Sequence, residues 1–356
     1  MADIAELLSR RGVGVEVLER FSAGAGRVTA ARGMLGGGLA PDEVAGAVRL
    51  LRADVVHAHN VHPLFGWRAL AAARAAGART VLQLHNFRLF CAVSVAYRDG
   101  APCYRCRGRD TRPGLRLRCR GSVTEAAVYA AGLHLQQPGL FEHSDTFVVL
   151  SEAHGARLRE LGLPREKAVT LPNFVPAGRF TERSVAGTSG RFALAAGRLV
   201  EEKGFDTAIR AARAAGAPLV IAGEGPDEPR LRSLAEGAEV RFTGLLTPEA
   251  LAELRREAAV VLVPSRCEEA CPYAVLDACA DGVPVLASDR GGLPELVLPG
   301  AALPADDAEA WADALRTVWS MPAQERDQLG ERVLTRARAR LGEDRYYERL
   351  MGVYGD

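Results

Sequence analysis

Short runs of apolar, β-branched-rich residues alternate along the chain with longer stretches whose apolar positions recur at helical spacing. In the first half this pattern predicts strands at Val13–Leu18, Ala53–His57, Thr80–Leu84 and Thr146–Leu150. In the second half it predicts Phe192–Ala196, Pro218–Ala222, Glu239–Thr243, Val260–Val263 and Pro284–Ser288. Helical patterns fall between them at Trp67–Ala76, Phe205–Ala215, Pro248–Glu257 and Ala274–Ala280, and another opens the chain at Asp3–Arg11. Trp311–Leu315 and Arg336–Tyr347 read as core and crossover helices near the end. Such alternation predicts an α/β protein with parallel sheets covered by helices on both faces. Two segments break the rhythm. Cys91 to Arg120 is rich in Arg, Gly and Cys without a clear period, and reads as an inserted loop or small subdomain. Ala177–Gly190, after Pro172-Asn173-Phe174-Val175-Pro176, has linker composition and separates an N-terminal domain, 1–177, from a C-terminal one, 178–339.

Composition narrows the class. A chain of 356 residues exceeds what one core usually organises, which agrees with two domains. Hydrophobic content of 48% with 25% charged residues excludes a largely disordered protein. The net charge of +1 excludes a nucleic-acid coat or a polybasic membrane binder, so any basic patch is local. No apolar run reaches the roughly eighteen residues of a membrane span, and the opening residues carry no basic-then-apolar leader, which leads us to expect a cytoplasmic chain. Lys occurs only at 167 and 203 among the 45 basic side chains, the Arg bias of a GC-rich genome such as an actinobacterium's. A lysine that survives such a bias is worth attention, which singles out Lys203.

The second half carries the chemistry. Gly197-Arg198-Leu199-Val200-Glu201-Glu202-Lys203-Gly204 follows a predicted strand and precedes a helix. A glycine turn, a guanidinium fork, an ammonium and a helix N-terminus suit a diphosphate, although a solvated βα loop would read the same way. Gly223-Glu224-Gly225-Pro226 ends the next strand, where glycines let a backbone approach a ligand. The stretch from Pro264-Ser265 through Glu269 to Asp277 puts one carboxylate in a loop and another in the following helix, able to accept from the hydroxyls of a polyhydroxylated ligand. Gly291 and Gly292 could offer backbone amides to a phosphate at a helix start.

In this order the motifs resemble the donor domain of family 4 retaining glycosyltransferases, of the glycosyl transferases group 1 type. The first half is similar too, at His57-Ala58-His59-Asn60, Leu84-His85-Asn86-Phe87-Arg88, Ser151-Glu152 and Leu171-Pro172-Asn173. The resemblance implies the GT-B fold, two Rossmann-like parallel-sheet domains facing a cleft, with a C-terminal helix at about 340–356 returning to the first domain. It implies a donor site of Gly197, Arg198, Lys203, Gly223, Glu224, Glu269, Ala270, Cys271, Pro272, Asp277, Gly291 and Gly292. Arg198 and Lys203 would hold the donor diphosphate, which is of UDP or GDP type. Glu269 and the backbone of Ala270 to Pro272 would hold the sugar hydroxyls. Asp277 stands where the family has a Glu for the ribose. His85 would face the sugar in the cleft as a catalytic group beside Glu269, Arg198 and Lys203. His59, Asn60, Asn86, Arg88 and Asn173 would line the acceptor side or hinge. The reaction implied is front-face transfer with retention to an unidentified acceptor, with no cofactor required for catalysis. A sugar-nucleotide epimerase and a non-catalytic binding or scaffold protein on the same fold remain alternatives.

One departure is that the family's opening strand and Gly-rich loop have no counterpart here, which implies an upstream start or a site that has lost a part. The insert adds a further expectation. Cys91, Cys103, Cys106 and Cys119 could complete a structural zinc site or remain reduced thiols. The seven arginines between residues 105 and 120 could meet an anionic acceptor or, peripherally, a membrane surface. Tyr104 is the one aromatic in residues 104–120, too few for base stacking, so no nucleic-acid partner is expected.

Overall fold

A computed structural model describes residues 2–22, 24–182, 184 and 190–355, so part of the expected linker at 177–190 lies outside the described residues. The chain divides into two compact units. The first comprises Met1–Ala96, Cys103–Leu171 and Tyr347–Asp356; the second comprises Tyr97–Pro102 and Pro172–Tyr346. The division therefore falls at Leu171/Pro172, a few residues before the expected 177, and the tip of the insert groups with the second unit.

The first unit is built on four parallel strands, β1 (Val55–His59), β2 (Arg79–Leu84), β5 (Thr146–Val149) and β6 (Ala168–Thr170), lying side by side in that order. β5 is apolar at three of its four positions and buried along its whole length, the mark of a strand covered on both faces. The helix Glu152–Leu161 follows it directly because Ser151 caps it, its side chain accepting the His154 amide at 3.2 Å. The short β3 (Tyr97–Arg98) and β4 (Ala101–Pro102) pair as an antiparallel hairpin within the insert.

The second unit is a six-stranded parallel sheet. Its strands are β7 (Ala193–Ala196), β8 (Leu219–Ala222), β9 (Val240–Gly244), β10 (Val260–Val263), β11 (Val285–Ser288) and β12 (Ala302–Leu303). Their spatial order is β12-β11-β10-β7-β8-β9, so the chain direction across the sheet reverses between β7 and β10. That is the doubly wound Rossmann order, and such a reversal leaves a crevice outside the carboxyl ends of the two strands flanking it. The helix Phe205–Ala215 packs its apolar stripe on the sheet beside the helix Ala308–Ser320, whose Trp311 is fully buried and donates its indole N–H to Pro304 O at 2.9 Å.

Three expectations need correction. Val13–Leu18 alternates like a strand but lies exposed and unpaired, held in place by Arg20, whose guanidinium reaches Leu39 O at 2.5 Å and Ala40 O at 3.0 Å. Arg336–Tyr347 is not one helix: Gly342, at φ −67° and ψ 149°, separates Ala323–Leu341 from Glu343–Tyr354. The Cys91–Arg120 insert holds local structure that its lack of period hid, the β3–β4 hairpin and the short helix Arg112–Arg116.

Candidate functional site

The loops after β7 and β10 lie at the carboxyl edge where the sheet order reverses. One glycine lets them come together, and a second brings the loop after β11 against them. Gly204 sits at φ +67°, and a Cβ there would fall 2.0 Å from Pro264 O, so only glycine brings the Lys203 turn against the end of β10. Gly291, at φ +55°, is similarly crowded by Glu269 O, 2.5 Å from where its Cβ would be. Gly292 donates its amide to that same carbonyl at 2.7 Å. This corrects the expectation that the Gly292 N–H is free for a phosphate: it fixes the backbone of Glu269 instead.

The ammonium of Lys203 and the carboxylate of Glu269 are in direct contact, and Ser265 Oγ donates to the same Oε1 at 2.9 Å. Ser265 is itself held by Ser288 Oγ, which donates to its carbonyl at 2.5 Å. Burial alone would lower the Lys203 pKa, but the charge and hydrogen bond of Glu269 outweigh it and the net shift is upward. Arg198, more exposed, pairs one turn on with Glu202 at 3.2 Å. Arg198, Lys203 and Glu269 thus stand on the two loops flanking the reversal, each with its charge answered.

The rest of the expected donor residues take varied places. Gly223 lets its loop close on Gly197: a Cβ at Gly223 would sit 1.9 Å from Gly197 O, whereas one at Gly197 would meet only the Phe205 ring at 3.7 Å. Glu224 is exposed and accepts weakly from the Leu245 amide at 3.4 Å. Ala270 and Cys271 are buried, and Pro272 precedes the helix Tyr273–Ala280. Asn173 belongs to this unit, where its side-chain amide donates to Cys271 O at 3.1 Å and steadies the segment after Glu269. Asp277 faces the helix Pro248–Arg256, 3.8 Å from Arg255. Sequence reasoning missed Arg266 and Asp206, which form a two-pronged pair at 2.7 and 2.9 Å beneath the same loops. Their signal was position, one residue after Pro264-Ser265 and two after Gly204.

In the first unit three histidines form a row. His59 Nδ1 lies 2.8 Å from His85 Nε2, His57 stacks on His59 at 4.5 Å, and Tyr354 hydroxyl reaches His57 Nδ1 at 2.9 Å. Burial pushes His57 and His85 down to about 4, and His59 well down, so the row is neutral at neutral pH. Asn60, at φ 46°, turns the chain after β1. Asn86 and Arg88 order their own loop: Asn86 Oδ1 accepts the Arg88 amide at 2.9 Å, and the Arg88 guanidinium donates to Ala92 O at 2.5 Å. Arg88 is therefore engaged in folding the insert rather than presented to an acceptor.

Cys91, Cys103, Cys106 and Cys119 are not joined by disulfides, and among the described residues no three His, Cys, Asp or Glu side chains gather so as to hold a metal ion. They are near enough that the other three contribute to raising Cys106, which burial chiefly pushes up to about 11. The insert is ordered by hydrogen bonds to the long helix Val123–His143: Thr111 Oγ1 donates to Ala130 O at 2.6 Å and Gln137 Nε2 to Gly108 O at 2.9 Å. Part of its basic charge is answered locally, Arg112 by Asp110 at 2.8 Å, while the Arg109 guanidinium lies 3.0 Å from His134 Nε2. No helix among the described residues is long and apolar enough to cross a membrane.

Residues 2–173 match the glycosyl transferase 4-like domain and residues 190–321 the glycosyl transferases group 1 family. The chain belongs to this glycosyltransferase family. A protein named colanic acid biosynthesis glycosyltransferase WcaL, from Salmonella typhimurium, is 33% identical over 223 residues, which is 58% of this chain and 54% of that protein. A GDP-mannose-dependent alpha-(1-6)-phosphatidylinositol dimannoside mannosyltransferase of Mycobacterium tuberculosis is 38% identical over 143 residues, 38% of this chain and 37% of that protein. The chain spans about half the length, or less, of these curated relatives. Among solved structures, sucrose-phosphate synthase from Thermosynechococcus elongatus superposes with a TM-score of 0.68 at 19% identity, covering 99% of this chain and 91% of that one. Anabaena HepE in complex with UDP gives 0.60 at 17% identity, covering 98% and 87%. These likenesses show the GT-B fold of this glycosyltransferase chain, two Rossmann-like domains.

Proposed function

We propose that the chain transfers a sugar from a nucleotide-diphosphate sugar to a hydroxyl acceptor, with retention at the anomeric carbon. The observation that carries this is the gathering of Arg198, Lys203 and Glu269 on the two loops that flank the β7/β10 reversal. A diphosphate brings two charged phosphates, and a guanidinium with an ammonium beside it answer them as fork and point charge. On donor binding Lys203 exchanges the Glu269 carboxylate for phosphate oxygens, and Glu269 turns its acceptor oxygens to sugar hydroxyls. As the glycosidic bond breaks, charge builds on the leaving diphosphate, where Arg198 and Lys203 stabilise it. The acceptor hydroxyl approaches from the leaving-group side and gives its proton to a diphosphate oxygen. In the first unit the neutral His59–His85 pair belongs, on this reading, to the acceptor half. HepE, solved with UDP, and the mycobacterial relative, named as GDP-mannose-dependent, support a UDP- or GDP-type donor.

Calorimetric titration with UDP, GDP and ADP, followed by the sugar nucleotides of whichever binds, tests the reading. Micromolar binding of one diphosphate is expected. No binding of any would overturn it, and turnover of the donor without an acceptor would replace transfer by epimerisation.

A further inference from the structure

We infer that Arg266 is a positioning residue, paired with Asp206, that holds the Lys203 loop and the Glu269 loop in register while the donor separates those two side chains. The inference rests on the proposed donor site and extends it to a group that touches no substrate.

Every donor of Arg266 is already placed. Nη1 donates to Asp206 Oδ1 at 2.7 Å and Glu201 O at 3.2 Å, and Nη2 to Asp206 Oδ2 at 2.9 Å and Thr207 Oγ1 at 3.3 Å. Nε donates to Asp306 Oδ1 at 2.5 Å. A guanidinium has five N–H groups, so none is left for a phosphate. The side chain is 12% exposed and that of Asp206 6%, so the pair is shielded from competing water. The backbone adds to the link: the amides of Arg266 and Cys267 both donate to Glu202 O, at 2.8 and 3.3 Å. The bonds from this one residue therefore bracket Lys203 on both sides, at Glu201, Glu202, Asp206 and Thr207, while Arg266 itself lies three residues before Glu269. The Asp206 carboxyl, which burial would raise, is held below its ordinary value by Arg266.

The direct Lys203–Glu269 contact cannot keep this register during a reaction in which the two side chains take different parts of the donor. The Arg266–Asp206 fork can, because no step of the proposed transfer needs its atoms. A lysine at 266 keeps the charge but offers no planar fork, so it cannot hold both carboxylate oxygens at once.

The experiment uses R266K, R266M and D206N. Each is titrated with UDP and GDP and with uridine and guanosine, and each is labelled at lysine Cε with carbon-13. The chain has two lysines, Lys167 and Lys203, so the spectra of the unaltered chain, R266M and D206N have two signals; R266K adds a third, identified by its absence from the other three, and Lys167 serves as an internal control throughout. In R266K and D206N the Lys203 signal is expected to move with Lys167 unmoved, and the preference for diphosphate over nucleoside to fall about ten- to a hundredfold, the scale of a small misplacement of charged groups. A wild-type Lys203 signal with wild-type diphosphate preference in R266K overturns the inference. So does a loss of preference that in all three variants only follows loss of the fold, which would make Arg266 a strut. Should the unaltered chain bind no nucleotide, the donor reading fails on that result, while the Lys203 signal still reports on the fork.

Discussion

Lys203 and Glu269, 66 residues apart in sequence, are in direct contact across the point where the second sheet reverses its order. Both side chains are largely buried, at 29% and 15% exposure, so the contact is more than a surface ion pair. Removing one member of such a pair leaves the other charge uncompensated and costs about 3–5 kcal/mol.

Glu269→Gln is therefore a cleaner probe than Glu269→Ala. The amide oxygen can still accept from Lys203 and Ser265, so the fold is expected to survive, whereas the alanine variant strands an ammonium. Sugar transfer should fall by about a hundredfold or more in the glutamine variant. Binding of the bare diphosphate should change little, while the sugar nucleotide loses its advantage over it. Unchanged turnover would remove Glu269 from the site.

Lys203→Met removes the ammonium and keeps most of the side-chain volume. Affinity for the nucleoside diphosphate should drop by at least an order of magnitude, with the nucleoside unaffected, since the lost interaction is with phosphate. The wild-type affinity should also fall with added salt more steeply than that of the variant. Equal losses for diphosphate and nucleoside would point to a collapsed loop instead.

Some of this was legible in the sequence and some could not be. The helix Phe205–Ala215 and the strand Val260–Val263 have the bounds that their pattern predicts, because each is dictated by a strong local run with clear stops. Val13–Leu18 shows the limit of the same logic: alternation permits a strand, but a strand exists only where a neighbour supplies its hydrogen bonds, and here none does. β6 and β12, three and two residues long, are too short to register as patterns. In the site, the motifs set Arg198 and Lys203 after one strand and Glu269 after another, and the three do stand on the loops flanking the reversal. That Gly292 serves Glu269, or that Arg266 grips Asp206, depends on how the ends of β7, β10 and β11 meet, which no single segment encodes.

Gly204→Ala tests that meeting point. At φ +67° an alanine is strained, and its Cβ would overlap Pro264 O. The variant should lose about 1–3 kcal/mol of stability in denaturant unfolding. It should also lose diphosphate affinity, because the Lys203 turn must back away from β10. A loss of stability with affinity intact would separate the glycine from the site.

The histidines give the first unit a pH signature. His57 and His85 are held down to about 4, and His62 and His154 to about 3, burial being the main cause for each, against 6.5 in the unfolded chain. Above pH 6.5 both states are neutral and the stability is complete. As pH falls below 6.5 the unfolded chain binds protons that the folded chain refuses, so stability declines until the folded values are reached near 4 and 3. Asp206 and Asp145, both held below 3.8 in the folded chain, add a further loss at the acid end. Urea midpoints should therefore be level from pH 8 to 7 and fall steadily from about 6 to 4, with proton uptake on unfolding. His154→Gln, which removes one of these buried imidazoles beside Phe87, should flatten that slope by up to one proton. A midpoint that holds constant down to pH 4 would mean that these imidazoles are hydrated in the folded chain and not held neutral by burial.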